Sequence, residues 1–185
     1  MGLVVSLALI EHRMSRHAEQ AWRKTFEAIV EPPRGSPFSV CEGTMTKRCA
    51  ERAARQAGLP VAWFAPDGFR LEQMSAMPVD GSSSTELAAF TTSGLPMLLL
   101  LRSESEPQLP AGEAVEQLRI DGTRVELALG EIDGVLGDVT LRWRHSGVSH
   151  SLGLHSLGPD ALDRDETIER LRSLFREVRY AEPRG

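Results

Sequence analysis

The clearest alternation of apolar and polar residues lies in the last third of the chain. Residues 139–144 read Val-Thr-Leu-Arg-Trp-Arg, and residues 148–154 continue the pattern after a turn at Ser146-Gly147. Because successive side chains of a strand point to opposite faces, this pattern predicts a β-hairpin. The residues expected on its core face are Leu141, Trp143, Leu152 and Leu154.

An amphipathic helix is predicted after this hairpin. It is expected to begin near Asp163, where acidic residues suit the positive end of the helix dipole, and to end near Tyr180. Spacings of three and four place its apolar side chains on one stripe. That stripe includes Leu171 and Phe175, so we expect the helix to cover the hairpin.

Upstream, the pattern predicts one more helix in this region and several short strands. The helix covers residues 44–57, with alanines on one side and Gly58 as its stop. Asp121-Gly122 lies between two alternating runs and predicts a second hairpin. The other expected elements are a strand at 61–64, a strand beginning at the core residue Phe69, a loop at 80–85, strands at 86–92 and 94–102, and a loop at 103–112.

These strands follow one another at intervals of about ten residues without helices between them, which favours an antiparallel sheet. With helices only at the two ends, the expected class is α+β, a sheet covered by helices. The predicted organisation is an N-terminal helix over residues 1–31, a proline-containing linker over 32–43, and a sheet domain over 44–181.

The first ten residues are almost wholly apolar and admit two interpretations. Ten helical residues span about 15 Å, roughly half of the ~30 Å core of a bilayer. One interpretation is a helix that packs on the domain or on a partner. The other, which we favour, is part of a membrane anchor, because charged residues follow abruptly at Glu11, His12 and Arg13.

Composition narrows the classes of function. The chain has 185 residues, of which 41% are hydrophobic, so it can bury a full core. Its formal net charge is −5, and its 21 basic residues are spread along the chain. A nucleic-acid binder needs a concentrated basic surface, so we expect no nucleic-acid partner.

The two cysteines, Cys41 and Cys49, are a candidate disulfide. They lie eight positions apart among polar residues, whereas a buried structural thiol normally lies in an apolar run. A disulfide predicts an oxidising compartment, such as the periplasm or the cell surface. The alternative is two unrelated thiols in a cytosolic protein.

The residues offer few candidates for chemistry. His145, His150 and His155 could suggest a metal site, but strand alternation sends His150 to the core side and His155 to the other, with His145 at the turn. No nucleophile elbow and no phosphate loop occur. We therefore expect no catalytic residues, no metal and no cofactor, and a protein that is not an enzyme.

The sheet itself offers a binding surface. A curved antiparallel sheet has a face that one helix does not fully cover, and a concave face can hold a lipid tail or an apolar peptide. The alternative is that helix 44–57 fills this face.

Two segments resemble a known bacterial domain. They are Pro66-x-Gly68-Phe69-x-Leu71 and Trp143-x-x-x-Gly147-x-x-His150-x-Leu152, followed by a short helix. Over residues 60–180 this resembles the extracytoplasmic domain of anti-sigma-factor-like proteins and of outer-membrane lipoprotein carriers. The resemblance implies a half-barrel-like sheet and a sensing, binding or carrier role outside the cytoplasm. It implies no catalytic residues.

Three hypotheses follow from the sequence. The first is a non-enzymatic extracytoplasmic domain, tethered to a membrane by its N-terminal helix, that binds an apolar ligand or a protein partner. The second is a soluble interaction protein that oligomerises through its N-terminal helix. The third is a hydrolase whose site is assembled in space from distant residues.

Overall fold

A computed structural model of the chain describes most of one compact unit, residues 38–185. The expected N-terminal helix and nearly all of the expected linker lie outside the described residues, so the structure does not test them. The residues described are 39–43, 45–65, 67–79, 82–92, 97–105, 114–132, 135–156 and 162–183.

Eight strands form one antiparallel sheet in the order β1-β3-β4-β5-β9-β8-β7-β6. Strands β3 to β5 form one meander and β6 to β9 another, and the two join where β9 pairs with β5. The α+β class and the antiparallel sheet are therefore confirmed. The strands are β1 (Ser39–Gly43), β3 (Phe69–Val79), β4 (Ser82–Thr91), β5 (Met97–Glu104), β6 (Ala114–Ile120), β7 (Thr123–Ile132), β8 (Val135–His145) and β9 (Val148–Ser156).

Both predicted hairpin turns are present. Asp121 and Gly122 join β6 to β7 with φ values of 49° and 83°, and Ser146 and Gly147 join β8 to β9 with 50° and 80°. Two consecutive residues with positive φ characterise the type I′ turn, whose twist matches that of the strands it connects. Glycine adopts this conformation without steric cost, which is why the second position of each turn is glycine.

Two helices pack on one face of the sheet. Helix α1 (Lys47–Ala57) begins after Thr46, whose hydroxyl accepts from the Cys49 N–H, and ends at Gly58 in the left-handed conformation. Helix α2 (Arg164–Glu177) begins after Asp163, whose carboxylate accepts from the Glu166 N–H. Helix α1 contacts β1, β3 and β4, while α2 contacts β8 and β9. Each helix therefore covers one part of the same core.

A two-stranded ribbon completes the covering layer. Strand β2 (Val61–Trp63) pairs antiparallel with β10 (Arg179–Ala181), which follows α2. The Ala62 N–H donates to the Ser103 hydroxyl at 3.0 Å, so the ribbon is hydrogen-bonded to β5 of the main sheet.

The residues expected in the core lie there or against it. Leu141, Leu152, Leu154 and Leu171 are fully buried, and Trp143 and Phe175 are buried as well. Phe69 is partly buried against the same cluster, and the Arg170 guanidinium lies 5.0 Å from its ring centroid.

Four boundaries differ from those expected. Residues 39–43 belong to a strand rather than to a linker, and residues 82–85 begin β4 rather than forming a loop. Strand β5 continues through 103–104, which had been expected in an exposed loop, and Tyr180 lies in β10 beyond the end of α2. Residues 82–85 pair with the end of β3 in a tight hairpin, and in the other three cases pairing with a strand distant in the sequence extends or creates an element that local composition does not indicate.

Candidate ligand-binding site

The sheet has a second face, opposite the helices, which we call the open face. Along β5, Met97, Leu99 and Leu101 belong to the core cluster. The residues between and after them point the other way because strand side chains alternate. They include Arg102, which is exposed, and Leu100 and Glu104, which are partly buried. The open face therefore carries charged side chains next to small and apolar ones.

Strand register brings residues from three strands together in rows across this face. Ser151 of β9 lies between Arg102 of β5 and Arg142 of β8. In the same way, Gly153 lies between Leu100 and Thr140, and Ser149 lies between Glu104 and Arg144. The open face of β9 thus has a small side chain or none in three successive rows, while the strands on either side carry larger ones.

A cavity of about 670 Å³ lies over these rows. We call its floor, Ser149, Ser151 and Gly153, the β9 trough. Gly153 is closely packed from above, because a Cβ at this position would lie 2.8 Å from Thr140 Oγ1 and 2.9 Å from His155 Nε2. A larger residue here would fill part of the cavity and clash with both side chains.

Positive charge exceeds negative charge in the cavity lining, although the whole chain has a net charge of −5. Four arginines and two glutamates line the cavity: Arg102, Arg124, Arg142, Arg144, Glu104 and Glu126. This arrangement attracts anions and repels cations.

Neighbouring groups hold three of these arginines in place. The Nε of Arg102 donates to Glu86 at 2.6 Å, and the Nε of Arg124 donates to Gln117 at 2.8 Å. A terminal nitrogen of Arg144 donates to the Gly147 carbonyl at 2.8 Å. The guanidinium groups are therefore oriented before any ligand arrives, which lowers the entropy that binding would cost.

An imidazole and a carboxylate stand beside the trough. His155 Nδ1 lies 2.5 Å from Asp138 Oδ1, and both side chains are partly exposed. In the neutral imidazole of His155, Nδ1 carries the proton and donates it to the carboxylate of Asp138. The lone pair is then on Nε2, which is the atom next to Gly153. His155 can therefore accept a hydrogen bond from a group in the trough.

His150 lies on the opposite, core side, as alternation predicted. It is 2% exposed, and its ring stacks on Trp143 with 5.5 Å between centroids. Burial lowers the pKa of His150 from 6.5 to about 4. The backbone of His145 opposes this shift, whereas the imidazole of His145 adds to it.

The three histidines do not converge on one point. His145 stacks on Tyr180 with 3.6 Å between ring centroids, while His155 is on the open face. In the described part of the chain, no three histidine, cysteine or acidic side chains are grouped so that they could hold a metal ion.

Cys41 and Cys49 form a disulfide, which joins β1 to α1. These are the two cysteines of the chain, so the protein has no free thiol. No described helix has both the length and the hydropathy to cross a membrane.

No protein-family model, curated protein or solved structure matches this chain. The site is therefore defined by its own geometry alone.

Of the lining residues, His155 stands out in the sequence as a candidate for chemistry, whereas the arginines do not. The local pattern places Arg102, Arg142 and Ser151 in strands and predicts a loop at Glu104. One signal was available: Arg142 and Arg144 alternate with core residues, which shows that the second face of β8 is charged.

Proposed function

We propose that residues 38–185 form a non-enzymatic extracytoplasmic domain that binds a ligand in the cavity of the open face. The observation that carries this proposal is the β9 trough, which lies between Arg102 of β5 on one side and Arg142 and Arg144 of β8 on the other. Strand pairing holds the trough and both flanking strands, and sites built on paired strands are more rigid than sites on loops. The site is therefore preorganised for a ligand.

The lining favours a polar ligand over a purely apolar one. Among the described lining residues whose side chains point to the open face, Leu100 is the one apolar side chain larger than a methyl group. The lipid tail or apolar peptide expected from the sequence would leave several charged groups without water or a partner, which is costly. A protein partner would have to place a polar side chain in the same trough.

The proposed location rests on the disulfide. Disulfides persist in oxidising compartments and are rare in the reducing cytosol. The half-barrel curvature implied by the resemblance and tethering through the N-terminal helix are further parts of this proposal. The residues of the tether lie outside the described part of the chain.

A substitution that fills the trough tests the proposal. Ser151→Leu places a branched side chain on the trough floor, and Ser173→Leu adds the same side chain on the exposed surface of α2. Small polar compounds would be screened by their effect on the Tm of the wild-type protein. We expect at least one compound to raise the Tm of wild type and of Ser173→Leu, but not of Ser151→Leu. Equal shifts in all three proteins, or no shift with any compound, would count against a binding site here.

A hydrolytic site is the second candidate, and one observation favours it. The Asp138–His155 pair has the geometry of a carboxylate that orients a general base. A screen of ester and peptide substrates tests this candidate. Turnover that is lost in His155→Gln and retained in His145→Gln would support it, and absence of turnover in the wild-type protein would remove it.

A further inference from the structure

We infer that the ligand carries a phosphate or carboxylate group, which binds between the guanidinium groups of Arg102 and Arg142 above Ser151. This inference rests on the proposed binding function and adds the chemical class of the ligand. The remainder of the ligand lies in the β9 trough and is uncharged where it approaches Gly153.

The register of the strands places the two arginines on either side of one serine. Arg102 and Arg142 lie on the two strands that flank β9, each opposite Ser151. Adjacent strands are about 4.8 Å apart, so the two arginine backbones are separated by about 10 Å. Long side chains rooted on either side of a serine can both reach one group above it. The serine hydroxyl supplies a further hydrogen-bond donor.

The order of charges along this row favours an anion at its centre. From β4 to β7 the row reads Glu86, Arg102, Ser151, Arg142, Glu126. The acids lie at the outer positions, and the two arginines face each other across a neutral residue. Each arginine therefore has a glutamate on its outer side, and only positive charge adjoins the position above Ser151, which favours an anion there.

The contacts of Arg102 show which of its nitrogens can bind a ligand. Its Nε is bound to Glu86, with 2.6 Å between nitrogen and oxygen. Its two terminal nitrogens make no hydrogen bond to any residue in the described part of the chain. Guanidinium nitrogens bind carboxylate and phosphate oxygens in a bidentate manner. Glu86 therefore orients the group and leaves these donors for a ligand.

The next row limits the rest of the ligand. Gly153 lies between Leu100 and Thr140, none of which is charged. From Ser149 to Gly153 the trough extends over about 13 Å at ~3.3 Å per residue. Because Thr140 and His155 pack over Gly153, the part of the ligand that extends from the oxyanion toward Gly153 is short and uncharged, and it can donate a hydrogen bond to His155.

Calorimetric titration of the full chain tests this inference. The probes are inorganic pyrophosphate, citrate, vesicles of phosphatidylglycerol and the uncharged disaccharide trehalose. The variants are Arg102→Gln, Arg142→Gln and Arg142→Lys, with Arg179→Gln on the exposed side of β10 as the matched control for loss of charge. Pyrophosphate and citrate distinguish phosphate from carboxylate, and the vesicles distinguish a lipid head group from a free anion.

We expect at least one anionic probe to bind the wild-type protein and trehalose not to bind. Because a charge-assisted hydrogen bond contributes about 1.5–3 kcal/mol, each glutamine variant should weaken binding about 10- to 100-fold. Arg142→Lys keeps the charge but loses the planar fork, so its loss should be smaller. Arg179→Gln should bind as wild type does.

Three results would overturn the inference. Equal weakening by Arg179→Gln and Arg142→Gln would show that binding follows overall charge and not this site. An uncharged compound that binds in a manner sensitive to Ser151→Leu, while no anion binds, would leave the binding function intact and refute the oxyanion. If no compound of either kind binds, the proposed function fails together with the inference.

Discussion

The Nδ1 of His150 lies 2.9 Å from the Oγ of Ser103, and both side chains are buried inside the core. The same Oγ accepts the Ala62 N–H at 3.0 Å, and the tautomer of the imidazole sets which of the two groups donates in the Ser103–His150 bond. Nε2 of the ring is buried and has no hydrogen-bond partner among the described residues. This arrangement suits a neutral imidazole and opposes a charged one.

The first prediction is a loss of stability in mild acid. The pKa of His150 is lowered to about 4 in the folded protein, whereas 6.5 is the ordinary value. Above pH 6.5 neither state is protonated, and between pH 6.5 and 4 the unfolded chain binds a proton that the folded chain does not. The contribution of His150 to the free energy of unfolding should therefore fall by up to about 3 kcal/mol across this window, and this contribution levels off below pH 4.

Urea denaturation at a series of pH values measures this loss. A double variant, Ser103→Ala with His150→Phe, replaces both partners by apolar groups and removes the titration. Its unfolding free energy should depend less steeply on pH between 6.5 and 4. Parallel pH profiles for the variant and the wild type would show that His150 is not responsible.

The second prediction concerns Trp143, which is 4% exposed and contacts Phe175 edge to face at 4.9 Å between ring centroids. Its Nε1 donates to the Tyr180 hydroxyl at 2.8 Å, and burial raises the pKa of that phenol. Trp143→Ala should lower the free energy of unfolding by about 3–5 kcal/mol. Tyr180→Phe, which removes only the hydrogen bond, should cost about 1 kcal/mol.

Chemical denaturation followed by circular dichroism gives both values. A loss below about 1 kcal/mol for Trp143→Ala would be inconsistent with an aromatic side chain packed in the core.

The third prediction concerns the disulfide between Cys41 and Cys49. It joins an edge strand to a helix across a short loop, and loop entropy predicts a contribution of about 2–3 kcal/mol. Replacing both cysteines by serine should lower the free energy of unfolding by this amount. Thiol titration of the denatured, unreduced protein from its native host should find no free thiol. Two free thiols would contradict an oxidising compartment.

The fourth prediction concerns the floor of the trough. A Cβ at Gly153 would lie 2.8 Å from Thr140 Oγ1, closer than packed atoms normally approach. Gly153→Ala should therefore cost about 1–3 kcal/mol through overpacking. The loss should be smaller in a Thr140→Ala background, where Oγ1 is gone. A double-mutant cycle measures this coupling, and additive losses would show that the two residues do not meet.

The hairpins could be predicted from the sequence because their signals are local. Asp121-Gly122 and Ser146-Gly147 stand between alternating runs, and both residues of each pair can adopt positive φ. The start of α2 was equally clear, since Asp163 caps it.

Strand β10, its pairing with β2 and the edge strand could not be predicted in the same way. The apolar run at 61–64 predicted a strand where β2 lies, but β10 has three residues, too few for a visible alternation, and its partner is distant in the sequence. Strand β1 is five residues long and follows a proline-containing segment. Their strand conformation depends on tertiary pairing, which local propensity does not encode.

The candidate site could not be predicted from the sequence, for a related reason. That Arg142 faces away from Leu141 follows from alternation alone. That Arg102 stands opposite the same serine requires β9 to pair with β5, although three strands, β6, β7 and β8, lie between them in the sequence. A single sequence does not specify that partner, so the two arginines could not be placed together.

The pairing of β2 with β10 has a consequence for biosynthesis. Val61 leaves the ribosome early, but its partner Ala181 is made after almost every other residue of the domain. Until then the apolar ribbon residues of the nascent chain have no native partner and are open to aggregation. We expect the polypeptide to need a chaperone throughout synthesis. A chain that is kept unfolded in this way is also suited to translocation before folding.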